Sequence, residues 1–290
     1  MIYVDREGNK TEATTNQDRF LKFVYGHTVT RGLMKPLVSP VVSRLGGRFL
    51  DSRLSALGIS SFVKNNHIDL SQYEKQEFAT YNEFFTRKIK KEMRPIAQEK
   101  NILISPCDGK VSVYPIQDGG RFTIKHTPYT VESLVQNEKL ASHFHGGYAV
   151  VLRLTVDDYH RYCYVDDGEK SRQVHIPGCF HTVNPVANDA YPIYKVNTRE
   201  YCLLKTENFG TVLMMEVGAL MVGRIENVPL RGRVKRGKEK GNFAFGGSTV
   251  VLMTQKGRVM PDPDIFRNSQ YDIETRVHMV EKIGVSEVTE

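Results

Sequence analysis

The chain has 290 residues, with 40 Lys and Arg against 33 Asp and Glu, and a formal net charge of +7. Apolar residues make up 40% and aromatic residues 10%, which excludes wholesale disorder and suits one large domain or two small ones. The four cysteines, at 107, 163, 179 and 202, form no CxxC pair, so a zinc knot and a disulfide scaffold are both disfavoured and reduced thiols are expected.

The first dozen residues are polar and predict a loose end. Charges fall where a signal peptide needs an apolar run. From 17 to about 63 apolar and basic residues interleave. Leu45, Phe49 and Leu50 have helical spacing, and Pro36 and Pro40 prevent one long helix. Lys22, Arg31, Lys35, Arg44, Arg48 and Arg53 accompany them, a composition suited either to a membrane surface or to a helical hairpin on the core. Residues 69–93 predict further helix, with Thr80 or Asn82 capping a turn that holds Phe84 and Phe85. The run 87–91 predicts a solvated basic face.

From about Ile102 the pattern turns to period two. Residues 110–114, 148–154, 211–216, 219–225 and 249–253 predict strands, punctuated by Gly and Pro. The longest nearly apolar stretch, 211–223, is interrupted by Glu216 and is shorter than a membrane span. The fold class is therefore α+β. An N-terminal helical, membrane-associating region over 1–100 precedes a mostly antiparallel, sandwich- or barrel-like β domain over 101–290.

Five segments carry groups capable of chemistry. Gly246-Gly247-Ser248-Thr249 opens an apolar strand, and the glycines let other groups approach Ser248; the same residues fit a tight turn. Pro106-Cys107-Asp108-Gly109 is a turn that Asp108 can cap. Asp158-Tyr159-His160-Arg161 puts a titratable imidazole at a strand end, or a satisfied histidine beside an ion-paired arginine. His181-Thr182-Val183-Asn184-Pro185 is another turn with a histidine. Arg231, Arg233 and Lys235 alternate as a strand face would, suiting phosphates or a solvated hairpin edge. No nucleic-acid motif accompanies them, so nucleic acid is not expected as a partner, and no metal site is expected.

Taken together, these pieces resemble the phosphatidylserine decarboxylase proenzyme family. Gly247-Ser248-Thr249 resembles its processing motif, Ser105–Lys110 its aspartate motif and Asp158–Arg161 its histidine motif. Tyr81–Lys88 with Arg94-Pro95-Ile96, Thr182–Pro185, Glu216–Ala219, Lys235–Gly241 and Glu274–Gly284 follow in the family's order. The resemblance implies a cut between Gly247 and Ser248, giving a β chain 1–247 and an α chain 248–290 that stay associated. It implies a covalent pyruvoyl cofactor made from Ser248, which forms a Schiff base with phosphatidylserine and releases carbon dioxide and phosphatidylethanolamine. Ser248 is then the nucleophile, Asp108 the orienting carboxylate and His160 the expected base. Many members carry a second histidine where this chain has Cys163, so His181 is a second candidate base. The implied partners are phosphatidylserine and an anionic membrane surface, at the cytoplasmic face of the cell membrane, and a homodimer is compatible. Two alternatives stay open: an uncleaved lipid-binding paralogue, and a pyruvoyl decarboxylase of a soluble amino acid.

Overall fold

The alternating and continuous apolar runs become strands. The computed structural model describes residues 2–12, 23–25, 30, 40–183, 188, 191–219, 224–229, 231–244 and 248–287. A hairpin of β1 (Ile2–Val4) and β2 (Lys10–Glu12) precedes helices α1 (Pro40–Leu50), α2 (Ile59–Asn65) and α3 (Tyr81–Phe85). Then come β3 (Ile102–Ile104), β4 (Gly109–Pro115), β5 (Arg121–Ile124), β6 (Thr127–Thr130), α4 (Val131–Val135), α5 (Glu138–Ser142) and β7 (Tyr148–Leu154). Next are β8 (Arg161–Cys163), β9 (Gly168–Lys170), β10 (Val174–Ile176), α6 (Ile193–Val196), β11 (Arg199–Thr206), β12 (Thr211–Gly218) and β13 (Ile225–Asn227). The chain finishes with β14 (Gly232–Val234), β15 (Glu239–Phe243), β16 (Ser248–Met253), β17 (Val259–Pro261), α7 (Pro263–Gln270), β18 (Glu274–Val277) and β19 (Lys282–Ser286).

The main sheet among the described residues runs β14-β9-β11-β12-β16-β7-β4-β18-β1-β2, with β10 also on β11. Every pairing in it is antiparallel except β1 on β18. The class is thus α+β with mostly antiparallel strands. The sheet follows an open path, and two three-stranded sheets, β13-β15-β8 and β17-β19-β3, accompany it. Its centre is buried on both faces: all of β16 and all of β7 but Tyr148 are inaccessible. Continuous apolar text such as Val250–Met253 is what a doubly covered strand requires.

Three expectations change. Residues 2–12 are an ordered hairpin, not a loose end. Ile2, Tyr3 and Val4 suit a strand, and Asp5 Oδ1 closes the turn by accepting from the Glu7 and Asn9 amides. Residues 69–93 are not a continuous helix. Asp69 and Thr80 each cap a separate short turn, and Tyr73 bridges back to Ile89. Arg87 is not on a solvated face: it is 2% exposed, with its guanidinium over the rings of Tyr73 and Phe84 at 4.5 and 4.7 Å. Thr80 does cap the turn holding Phe84 and Phe85, accepting from the Glu83 amide at 3.1 Å. Of the expected strand at 219–225, residues 220–223 lie outside the described residues.

The helices keep a small core of their own. Ile59, Tyr81, Phe84 and Phe85 are buried together, against Leu50, Phe62 and Phe78. The basic residues from Arg233 to Lys240 are largely used within the chain. Arg233 pairs with Glu207 and Lys235 with Asp167, while Arg236 donates to the carbonyls of Ala97, Glu99 and Ile102. Lys240 is wholly buried on Glu216 at 2.7 Å.

Candidate active site

Strand register gathers the motifs at one end of the main sheet. Ser248 opens β16 opposite Gly218 of β12 and Leu154 of β7. Lys110 of β4 faces Arg153, and Val277 of β18 faces Gly109. Asp108, Thr155, Ser248 and His278 therefore lie at the same ends of neighbouring strands. Gly109 is required there. Its φ is +150°, and a Cβ would stand 2.8 Å from the Arg153 carbonyl oxygen.

Ser248 is fully buried, and its Oγ lies 3.2 Å from His160 Nδ1. On the other side of the ring, Nε2 lies 2.9 Å from the Thr155 carbonyl oxygen. A carbonyl can only accept, so Nε2 carries the hydrogen of the neutral ring. Nδ1 then offers its lone pair to the Ser248 hydroxyl. Phe85 lies against the imidazole, with ring centroids 4.0 Å apart and an interplanar angle of 31°. Burial among these groups pushes the His160 pKa down to about 3, so the ring is an unprotonated acceptor at neutral pH.

The Thr155 carbonyl is itself held. Asp158 closes a turn on Thr155, accepting from its amide at 2.7 Å while the Asp158 amide donates to the Thr155 carbonyl at 2.9 Å. Lys110 Nζ lies 2.8 and 3.0 Å from the two Asp158 carboxylate oxygens, and 2.6 Å from Thr155 Oγ1. The sequence signal for this turn was Thr155-Val156-Asp157-Asp158, a hydroxyl residue followed three positions later by a carboxylate. Of these four residues only Asp158 falls within the histidine motif; Thr155 lies outside it.

Asp108 has other partners. Its carboxylate accepts from Arg94 Nη2 at 2.7 Å and the Met279 amide at 2.6 Å, and lies 3.4 Å from His278 Nδ1. Burial alone would raise its pKa. The bond to His278 and the Arg94 charge outweigh that and bring it to about 2. Among the described residues, no hydrogen bond joins Asp108 to His160 or Ser248.

His181 also sits apart from the hydroxyl. Its ring stacks on Tyr191 at 4.3 Å and 18°, and its Nδ1 lies 3.4 Å from the Tyr25 hydroxyl. Its backbone is held at both polar groups by Asn197, which also donates to the Gly218 carbonyl opposite Ser248. His181 is thus linked to the serine's neighbour and not to the serine. Cys163 supplies no base. It is fully buried, its pKa is raised to about 12 by burial, and its nearest acceptor is the Ser105 carbonyl at 3.9 Å. Gly247 lies outside the described residues.

A serine hydroxyl donating to a neutral, buried imidazole has a proton acceptor within reach, as nucleophilic chemistry at that hydroxyl requires. The model of the family described as phosphatidylserine decarboxylase matches residues 81–285. The chain belongs to that family. It is 44% identical over 265 residues to a protein named phosphatidylserine decarboxylase proenzyme 2 from Clostridium acetobutylicum, covering 91% of each chain. Phosphatidylserine decarboxylase proenzymes of Clostridium botulinum and Clostridium tetani are 38% and 40% identical, over 92% and 83% of each chain.

Proposed function

We propose that this chain is a proenzyme that cuts itself between Gly247 and Ser248 and then decarboxylates phosphatidylserine to phosphatidylethanolamine. The observation that carries the processing step is the 3.2 Å contact between Ser248 Oγ and His160 Nδ1. His160 takes the hydroxyl proton while Oγ attacks the Gly247 carbonyl carbon. The peptide C–N bond breaks, the nitrogen gains a proton, and an ester joins the two segments. Loss of the Ser248 α-proton with cleavage of Cβ–Oγ releases the Gly247 carboxylate and leaves dehydroalanine. Water then removes ammonia and leaves a pyruvoyl group.

The residues fit such a group. Ser248 stands at a strand end beside His160, so a cut ahead of it leaves β16 seated between β12 and β7. The pyruvoyl group supplies the electron sink for loss of the substrate carboxylate, and the protein supplies position and proton control. In this reading His160 holds or returns a proton at that terminus. Asp108, held by Arg94 and the Met279 amide, and His181, stacked on Tyr191, make no hydrogen bond to Ser248 among the described residues. Segments 1–247 and 248–290 stay together because β16 and β18 are interior to the main sheet. The buried pair of Arg153 and Glu274 spans the two segments as well.

The lipid substrate gives the helical region a purpose. Leu45, Phe49, Leu54 and Leu57 are exposed along α1 and the turn that follows it, and Arg48 and Arg53 stand exposed in the same stretch. An apolar patch with basic neighbours suits a peripheral seat on an anionic bilayer, here the cytoplasmic face of the cell membrane. Among the described residues, no helix is long and apolar enough to cross a membrane. Residues 1–100 then serve docking and 101–290 chemistry, with Phe85 and Arg94 of the first segment reaching into the site. The test is turnover of phosphatidylserine in mixed micelles, followed by mass spectrometry of the lipid. Phosphatidylethanolamine should form and free serine should remain untouched. Turnover of free serine without lipid would overturn the substrate assignment.

A further inference from the structure

We propose that Asp158, clamped by Lys110, is the positioning carboxylate of the Ser248–His160 pair, acting through the Thr155 main chain without touching the imidazole. The inference rests on the reading of that pair as the processing centre. A histidine base needs its far nitrogen held, so that the near one presents a lone pair to the nucleophile. Here the holder is a backbone carbonyl, and a carbonyl is only as well aimed as its turn.

The turn is fixed from three directions. Asp158 Oδ2 accepts from the Thr155 amide at 2.7 Å, and the Asp158 amide donates to the Thr155 carbonyl at 2.9 Å. Thr155 Oγ1 lies 2.7 Å from Asp157 Oδ1 and 2.9 Å from Asp158 Oδ2. Lys110 Nζ contacts both Asp158 oxygens and Thr155 Oγ1 from the adjacent strand. Lys110 and Asp158 are 4% and 5% exposed. A buried ion pair of this kind is seldom more stable than an apolar replacement, so its contribution here is geometric. Phe85 fixes the ring plane, and with Nε2 held on Thr155 only Nδ1 reaches Ser248. Asp108 is committed to Arg94, His278 and the Met279 amide, which leaves the carboxylates of the turn connected to the pair, Asp157 through the Thr155 hydroxyl and Asp158 through the Thr155 main chain. The charges acting on the ring are Arg87 after α3, Asp157 in the turn and Lys110 on β4.

The test uses the full chain carrying Ser248→Ala, which cannot process, with nitrogen-15-labelled histidine followed by NMR. In that parent, His160 should show protonated Nε2 and bare Nδ1, unchanged from pH 8 to pH 5. Adding Asp158→Asn should give mixed tautomers and a titration midpoint moved toward the ordinary imidazole range. Thr155→Val keeps the backbone and the side-chain shape; it should move the midpoint in the same direction by less. Asp108→Asn should leave the His160 signals in place. In the Ser248 chain, Asp158→Asn should slow cleavage at least tenfold, with Asp158→Glu recovering part of the loss. His160 signals in Asp158→Asn and Thr155→Val identical to the parent's would overturn the proposal. So would slow cleavage in Asp158→Asn with unmoved His160 signals, because that marks a general structural defect. Failure of the Ser248 chain to cut at all would defeat the processing reading, and the NMR comparison would still decide the role of Asp158.

Discussion

Self-cleavage should be nearly independent of pH between 5 and 8, because the base is a histidine kept neutral by burial. The perturbation is pH itself. At its ordinary value of 6.5, an imidazole is only about 3% neutral at pH 5; at about 3, it is about 99% neutral. A buried His160 therefore predicts a cleavage rate at pH 5 within twofold of that at pH 7.5. A solvated histidine in the same role predicts a fall of about 30-fold. The assay is refolding of denatured full-length chain by dilution into buffers from pH 5 to 8, with the two segments counted on a denaturing gel. Folding must be followed in parallel, since the same burial costs stability in acid. The folded pKa is depressed, so the unfolded chain takes up the proton first. Stability from this group is complete above pH 6.5 and falls by about 1.4 kcal/mol per pH unit below it, or about 2 kcal/mol at pH 5. A 30-fold drop in the rate of correctly folded chain between pH 7.5 and 5 would refute the assignment of a buried His160 as base.

Three further outcomes are expected. Glu274→Gln leaves the buried Arg153 guanidinium uncompensated and weakens the contact with Lys125. Urea unfolding of the uncut Ser248→Ala protein should show a loss of about 3–5 kcal/mol, and a loss under 1 kcal/mol would remove this pair as a clamp between the two segments. Leu54→Asp with Leu57→Asp acts on two of the most exposed apolar side chains. It should leave folding intact and reduce sedimentation with phosphatidylserine-containing vesicles at least tenfold; unchanged sedimentation would move the membrane contact elsewhere. Cys163→Ala should leave the cleavage rate within threefold, since a buried thiol whose pKa is raised to about 12 has no acid–base work at neutral pH. A loss comparable with that of Ser248→Ala would return Cys163 to the chemistry.

Strand text was the most legible part of the chain. The runs that became β4, β7, β12 and β16 carry a pattern that only a pleated, buried backbone satisfies. Motif alone singles out Ser248, which stands at the start of β16, and His160, which lies just before β8. The N-terminal hairpin was hidden because its three-residue strands are too short for a period, and because β1 finds its partner in β18, more than 260 residues away. Between 69 and 93, local capping by Asp69 and Thr80 defeats the helical average that the composition suggests. Arg87 shows the limit of charge counting, since its aromatic neighbours are visible only in three dimensions. In the site itself, Thr155, Lys110, Asp158 and His278 come together through strand register. Register between strands so far apart in sequence is not written in any local pattern.

The central claim is that Ser248 attacks the peptide bond before it. Intact-mass spectrometry of the purified chain, with Edman sequencing of each product, tests this most directly. Two chains that meet between Gly247 and Ser248 are expected. The segment 248–290 should be blocked to Edman chemistry and lighter than its serine-initiated form by the loss of one ammonia. A single intact chain of 290 residues from active, correctly folded material would contradict it.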